Sequence, residues 1–185
     1  MEDILNHPSV LRVKAVLQEK GFATKIVILQ ESARSAAEAA AVLDIEVGQV
    51  AASIVFKLPS GSPLLVITSG QHRVDTELVA RTLGVSKLHR ADADYVKAVS
   101  GFAIGGVSPV GWLVTETKGG VSPFGWLHDG TLANPEPVVL IDESLAAFEV
   151  IWAAAGHPHA VFPTTFEELR VQTRARAMVV STEGE

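Results

Sequence analysis

The fold is decided by residues 51–68, Ala51-Ala52-Ser53-Ile54-Val55-Phe56-Lys57-Leu58-Pro59-Ser60-Gly61-Ser62-Pro63-Leu64-Leu65-Val66-Ile67-Thr68. Two runs of mainly apolar residues, rich in valine and isoleucine, flank a short segment of proline, serine and glycine. β-Branched residues favour strands, whereas proline and glycine favour turns. We therefore predict a β-hairpin with strands over 51–57 and 64–68.

Helical and strand patterns alternate on both sides of this hairpin. Helices are predicted over 9–20, from the capping box Ser35-Ala36-Ala37-Glu38 to Leu43, over 76–83, over 92–99 and from 165. Further strands are predicted over 24–29, 85–88, 138–142, 149–154 and 160–162, with an edge strand at 179–180. The regular βαβ rhythm of a doubly wound sheet is missing, so we expect an α+β (mixed α/β) fold. Its sheet should be mixed and largely antiparallel, with helices packed on it.

The length and composition of the chain indicate a single domain and argue against several classes of protein. No glycine- or proline-rich linker divides the 185 residues, so we expect a single compact domain over 1–180 and a disordered tail over 181–185. No apolar run reaches the length of a membrane span, and the N-terminus lacks the order of a signal peptide. The absence of cysteine excludes disulfides and a cysteine nucleophile and fits a cytoplasmic protein. A net charge of −6 disfavours generic RNA or DNA binding, so contact with RNA would need a local patch.

One nine-residue phrase occurs twice, as Gly105-Gly106-Val107-Ser108-Pro109-Val110-Gly111-Trp112-Leu113 and as Gly119-Gly120-Val121-Ser122-Pro123-Phe124-Gly125-Trp126-Leu127. Paired glycines followed by proline indicate a loop, because glycine reaches positive φ and proline has no N–H. From the spacing alone, two tight turns bracketing a β-hairpin are favoured. The alternative is a loop whose exposed main-chain N–H groups hold a carbonyl oxygen or a phosphate.

Five motifs in a fixed order connect this chain to a known family. They are Gln49-Val50-Ala51-Ala52-Ser53-Ile54-Val55-Phe56, Thr68-Ser69-Gly70-Gln71-His72-Arg73-Val74-Asp75, Gly101-Phe102-Ala103-Ile104-Gly105-Gly106-Val107-Ser108-Pro109, Val139-Leu140-Ile141-Asp142 and Ala155-Gly156-His157. In this order the chain resembles the YbaK/ProX family, free-standing relatives of the editing domain of bacterial prolyl-tRNA synthetases. The resemblance covers roughly residues 10–180.

The resemblance implies a fold, an activity and partners. The fold would be one compact domain around a mixed, partly barrel-like sheet. The activity would be that of a trans-editing aminoacyl-tRNA deacylase, which hydrolyses the ester of mischarged tRNA, typically alanine or cysteine on a proline tRNA. The acceptor end of tRNA and a prolyl-tRNA synthetase would be the partners, and neither a metal nor a cofactor is implied.

The resemblance also implies site residues. The loop with Gly105, Gly106, Ser108 and Pro109 would bring main-chain N–H groups to the aminoacyl carbonyl, while the substrate's own ribose hydroxyl would help to activate water. By the same resemblance, Ser53 and His157 would lie near the pocket.

The residue at position 52 departs from the family's pattern. Many relatives carry a lysine there, expected to contact the terminal adenosine, and this chain has Ala52. Lys57 is not expected to replace it, because side chains alternate along a strand and residues 52 and 57 should lie on opposite faces. Arg73 could contact a phosphate and partly compensate. Ala52 therefore leaves open an alternative function, a non-catalytic module that binds aminoacyl-tRNA or a synthetase.

The repeat is a second departure, since relatives generally carry one such loop. We favour the first copy as the functional one. The tryptophan that follows each loop, Trp112 or Trp126, could either pack in the core or stack on adenine.

Other polar residues have structural explanations as well as functional ones. His157 and His159 are expected to be loop histidines rather than metal ligands, since no partner has ligand spacing. Asp75 is expected to cap a helix. Asp142 could equally be a functional carboxylate or a turn cap, and the basic cluster over 87–97 more often marks a solvated face than an RNA track.

Overall fold

The computed structural model describes residues 3–22, 25–59, 61–112 and 138–182. The second copy of the repeat, residues 119–127 with Trp126, lies outside the described residues, as do 183–185 of the expected tail. Within the described part, eight strands form one sheet and five α-helices accompany it.

The sheet is mixed and open. Its strands are β1 Val27–Ile28, β2 Val50–Lys57, β3 Pro63–Ser69, β4 His89–Arg90, β5 Val138–Asp142, β6 Ile151–His157, β7 Ala160–Thr164 and β8 Arg176–Met178. Their order across the sheet is β1-β7-β6-β2-β3-β5-β8, and β4 also pairs with β2. The pairs β1–β7, β2–β3, β2–β4 and β6–β7 are antiparallel, whereas β2–β6, β3–β5 and β5–β8 are parallel. The expected mixed sheet is confirmed, and it does not close into a barrel.

The helices begin where the sequence provides caps. They are α1 Pro8–Glu19, α2 Ala36–Leu43, α3 Thr76–Leu83, α4 Ala93–Ser100 and α5 Phe166–Thr173, and short 3-10 helices cover Ile4–Asn6, Val47–Gln49 and Glu143–Ala147. The side chains of Ser35, Asp75, Asp92 and Thr165 each accept a hydrogen bond from the main-chain N–H three residues further on. The capping role expected for Asp75 is thus confirmed.

The predicted hairpin is the centre of the sheet. Its register runs from Ala51 opposite Ser69 to Lys57 opposite Pro63. Alternate residues of β3 enter two hydrophobic cores, with Leu65 and Ile67 in the larger one, which includes α1 residues. Leu64 and Val66 enter the smaller core with α3 residues. The hairpin therefore holds the two layers of the domain together.

One edge of β2 is only partly covered. On the side away from β3, β6 pairs with β2 at Val50 and Ala51, and β4 pairs with it at Phe56 and Lys57. No strand in the described part of the chain pairs with residues 52–55 on this side. The sheet therefore splits beside the middle of β2.

Two expectations near the C-terminus need correction. The edge strand predicted at 179–180 is instead β8, Arg176–Met178, because Val180 is fully buried and its carbonyl accepts the Asp75 N–H at 2.8 Å. Ser181 and Thr182 were expected in the tail, but Ser181 is buried and the Thr182 hydroxyl donates to Asp75 at 3.2 Å. Packing thus extends to Thr182. None of the described helices combines the length and apolar composition that crossing a bilayer requires.

Candidate functional site

A cavity of about 720 Å³ lies beside the split in the sheet. Its described walls come from β2, the segment 33–43 with α2, the end of β3 and the residues after it, the segment around β4, the 104–107 loop and β6. Single residues of α3, α4 and β7 complete the lining. Most of the lining side chains are apolar, and alanines are common among them, including Ala33, Ala36, Ala52 and Ala153. The split edge of β2 thus opens into a pocket large enough for a small-molecule group or the end of a polymer.

Main-chain polar groups of β2 are directed into this space. The Gly70 N–H donates to the Val50 carbonyl at 2.8 Å, which shows that Val50 and the alternate residues after it hydrogen bond toward β3. The N–H and C=O groups of Ser53 therefore point toward the uncovered edge. The Ser53 hydroxyl is also buried and has no hydrogen-bond partner within the described residues. A ligand at this edge would meet unpaired donors and acceptors.

The first copy of the repeat forms another part of the cavity wall through its leading glycine. Gly105 lines the cavity with φ +97°, a conformation that favours glycine. The Gly106 N–H closes a turn on the Ala103 carbonyl at 3.0 Å, but within the described ranges the Gly105 N–H donates to no main-chain carbonyl. Of the two glycine amides, the one at the cavity is therefore available to a ligand.

The rest of the loop lies behind this wall. Ser108 and Pro109 are buried and do not line the cavity. The Ser108 hydroxyl accepts the Val110 N–H at 3.1 Å, and its carbonyl accepts the Trp112 indole N–H at 2.8 Å. Trp112 itself is 3% exposed, so it packs in the core. The structure gives these residues a supporting position.

Four residues were predicted from sequence to bind substrate, and two of them line the cavity. Ala52 and Ser53 are at the split edge, whereas Arg73 and His157 are outside the lining. Instead, the main chain of His157 packs against Gly106, where an added Cβ would lie 2.9 Å from the His157 Cα. Its ring lies edge-on to that of His7, at a centroid distance of 5.2 Å. His157 therefore supports the glycine loop from behind.

A hydrogen-bonded cluster lies at the end of β3. Asp142, 2% exposed, accepts the Ser69 N–H at 3.0 Å and lies 2.9 Å from His72 Nδ1. Ser144 donates its hydroxyl to Asp142 at 2.7 Å, and this hydroxyl is 3.2 Å from the same His72 nitrogen. In a serine triad the two ring nitrogens bind different partners, and here both partners meet Nδ1. The cluster therefore holds His72 at the cavity wall rather than activating Ser144.

The charge state of Asp142 follows from these contacts. Burial raises the pKa of its carboxyl, but hydrogen bonds from His72, Ser144 and the Ser69 N–H outweigh burial and hold this pKa below its ordinary value. Asp142 also accepts the Ser144 N–H at 3.0 Å and so caps the following 3-10 helix. Among the described residues, no three His, Asp or Glu side chains form a cluster that could hold a metal ion.

Sequence reasoning missed two cavity residues, Arg34 and Arg90. Arg34 immediately precedes the Ser35 cap of α2, and its own N–H donates to the Glu38 carboxylate at 2.9 Å. Arg90 belongs to the basic cluster over 87–97, which the sequence favoured as a solvated face. The only available signal was the position of each arginine beside an element that lines the cavity.

Comparisons with known proteins identify the family and fold of this chain. Residues 30–117 match the family model for the aminoacyl-tRNA editing domain. A solved structure of a proposed trans-editing enzyme for prolyl-tRNA synthetase has 34% identity and a TM-score of 0.76, covering 96% of this chain and 99% of that chain. A protein from computational grafting of linear epitopes onto scaffolds has the same identity and coverage with a TM-score of 0.77.

A third solved structure, of a hypothetical protein, shares the fold at 22% identity and a TM-score of 0.74, covering 92% of this chain and 99% of that one. No curated protein matches the chain in sequence. The match of residues 30–117 and the 34% identity over nearly the whole chain identify the family. The chain belongs to the aminoacyl-tRNA editing domain family.

Proposed function

We propose that this protein hydrolyses, in trans, the ester that joins a wrongly attached amino acid to tRNA, with alanyl- or cysteinyl-tRNA for proline as substrate. Family membership supports deacylation of aminoacyl-tRNA, and the similar structure linked to prolyl-tRNA synthetase supports the choice of tRNA. A prolyl-tRNA synthetase would supply the mischarged product. The reaction would take place in the cytoplasm.

The observation that carries the proposal is the presence of two main-chain walls in one cavity. Gly105 forms part of one wall, and the β2 edge at Ser53, which no described strand pairs, forms part of the other. An aminoacyl ester is already activated, so positioning it and stabilising the oxyanion can be sufficient for hydrolysis. No nucleophile paired with a base is required.

The proposed reaction assigns a role to each group. Water attacks the ester carbonyl carbon, assisted by the neighbouring ribose hydroxyl of the substrate. The Gly105 N–H donates to the carbonyl oxygen as negative charge develops on it. The acyl C–O bond then breaks, and the ribose oxygen leaves and takes a proton. Gly106, Ser108, Pro109 and His157 hold the loop in place behind Gly105.

A deacylation assay tests this proposal. Alanyl-, cysteinyl- and seryl-tRNA for proline would be incubated with the wild type, with Gly105→Ala and with Gly61→Ala. Gly61 is a matched control because its φ is +94° and it lies outside the cavity lining. Alanine keeps the N–H but disfavours φ +97°, so the amide of residue 105 should move out of position. We therefore expect hydrolysis by the wild type, a loss of about 100-fold in Gly105→Ala and little change in Gly61→Ala. Failure of the wild type to hydrolyse any of the three, or full activity in Gly105→Ala, would overturn the proposal.

Ala52 favours a second candidate, a module that binds aminoacyl-tRNA without hydrolysing it. Its small side chain leaves the split edge of β2 without the cation that many relatives place there. Tight binding of a mischarged tRNA without turnover would support this candidate. A large gain of turnover in Ala52→Lys would then identify the protein as a degenerate editing enzyme.

A further inference from the structure

Two arginines are the principal charged groups among the described residues of the cavity wall. Arg34 and Arg90 line it, and no aspartate or glutamate does so among the described residues. Within the same residues, neither guanidinium forms an ion pair with a carboxylate. The chain as a whole carries a net charge of −6, so the described part of the cavity wall is a local cationic region on an acidic protein.

Arg34 is held beside the glycine loop. A Cβ added to Gly105 would lie 3.3 Å from the Arg34 Cγ, so the aliphatic part of this side chain packs close to the loop. Glu38 fixes the Arg34 main chain through the hydrogen bond to its N–H. These contacts place the Arg34 side chain beside the glycine whose amide is proposed to bind the ester.

Arg90 is on the same face of the sheet as Ala52. It lies opposite Phe56 in the antiparallel β2–β4 pair, and residues directly opposite each other share a face. Ala52, Ile54 and Phe56 share that face because side chains alternate along β2. Lys57 is on the other face, with its ammonium 5.4 Å from the centre of the Tyr95 ring. Arg90, rather than Lys57, therefore supplies a cation on the side of Ala52.

The cavity wall combines two guanidinium groups with apolar side chains, so it is suited to a ligand that carries an anion next to an apolar group. Guanidinium groups bind phosphate through paired N–H donors, and both arginines are exposed, so a phosphate can reach them. We infer that Arg34 and Arg90 bind phosphate groups of the 3′-terminal nucleotides of the ligand. The two arginines would then favour a phosphorylated ligand over an aminoacyl nucleoside that has no phosphate. This inference rests on the proposed function.

The inference can be tested by measuring the affinities of two non-hydrolysable analogues with isothermal titration calorimetry. One is alanyl-amido-adenosine, which has no phosphate, and the other is the same group on a 5′-phosphorylated cytidylyl-adenosine. We expect the wild type to bind the phosphorylated analogue at least about tenfold more tightly. In Arg34→Ala and Arg90→Ala, most of this preference should be lost, and the slope of log affinity against log salt should fall by about 0.7 for each contact. Inorganic phosphate alone should bind more weakly than the dinucleotide.

Matched controls separate local binding from total charge. Arg81→Ala removes the same charge from the exposed surface of α3, and Lys57→Ala removes a cation from the opposite face of β2. Both should keep the wild-type preference, and Arg90→Lys should keep part of it. Equal affinity of the wild type for the two analogues, no binding of either, or an equal loss in Arg81→Ala and Arg90→Ala would overturn the inference.

The two proposals fail separately. If no mischarged tRNA is hydrolysed but the phosphate preference and its loss in Arg90→Ala are observed, the anion site stands and the proposed function fails. If tRNA is hydrolysed with an unchanged KM in Arg34→Ala and Arg90→Ala, the function stands and the anion site fails. Thermal unfolding of each variant confirms that the comparison is between folded proteins.

Discussion

Replacing Asp142 by asparagine should destabilise the fold strongly, because neither orientation of the amide can satisfy its surroundings. One carboxylate oxygen accepts the Ser69 N–H at 3.0 Å, and the other accepts the Ser144 N–H at 3.0 Å. Whichever oxygen becomes an NH₂ group then faces a main-chain donor. Loss of a buried charge-assisted hydrogen bond and an unpaired donor together cost about 3 kcal/mol. At about 2–4 °C per kcal/mol for a chain of this size, Tm should fall by roughly 6–12 °C.

The pH dependence of this loss follows from the lowered pKa of Asp142. The pKa of Asp142 is lower in the folded protein than in the unfolded chain, where it is about 3.9. The carboxylate therefore stabilises the fold fully at pH values above about 3.9. This stabilisation is lost as the pH falls through the folded-state pKa. The difference in the free energy of unfolding between wild type and Asp142→Asn should therefore reach its full value at pH 7 and be smaller at pH 3.

Urea unfolding at both pH values measures this difference, with Asp75→Asn as the matched control. Asp75 caps α3 through the Leu78 N–H, and asparagine caps equally well, so this variant should change the free energy of unfolding by less than about 0.5 kcal/mol. Two results would contradict this prediction. One is a decrease in the free energy of unfolding of Asp142→Asn that is no larger than that of Asp75→Asn. The other is a decrease in Asp142→Asn that is the same at pH 3 as at pH 7.

Three further predictions concern the glycine loop and the split edge. Gly106→Ala should lower Tm by several degrees, because the added Cβ would lie 2.9 Å from the His157 Cα. An unchanged Tm in differential scanning fluorimetry would contradict this. Trp112→Phe removes the indole donor to Ser108 and should cost about 1 kcal/mol in urea unfolding, so equal midpoints would count against that bond. Ser53→Ala removes a buried hydroxyl that has no described partner, so the stability should be unchanged or higher. The KM for mischarged tRNA should rise, and a large loss of stability would contradict this assignment.

The sequence predicted those features that depend on local patterns. The β-hairpin and the opposite faces of Ala52 and Lys57 follow from the two-residue period of strands, and both agree with the register and burial of β2. The loop at Gly105 was predicted from paired glycines and proline, and the positive φ there agrees with it. Such features need no knowledge of which distant segments meet.

The missed features depend on pairing between distant segments. Arg90 reaches the cavity through β4, a strand of two residues, and the predicted strand at 85–88 ended just before it. Asp142 meets His72 because β5 lies beside β3, a pairing across a sequence separation of 70 residues. Ser108 was assigned to catalysis by resemblance, but its burial behind Gly105 depends on how the loop packs against α1 and β6. No local pattern carries this information.

Binding of the aminoacyl group by the Gly105 amide can be observed by ¹H–¹⁵N NMR of the labelled protein during titration with the phosphorylated alanyl-amido dinucleotide. We expect the amide resonances of Gly105 and Ser53 to shift until the site is saturated, while those of Gly61 and Gly84 stay in place. Saturable binding that leaves the Gly105 resonance unmoved would contradict it.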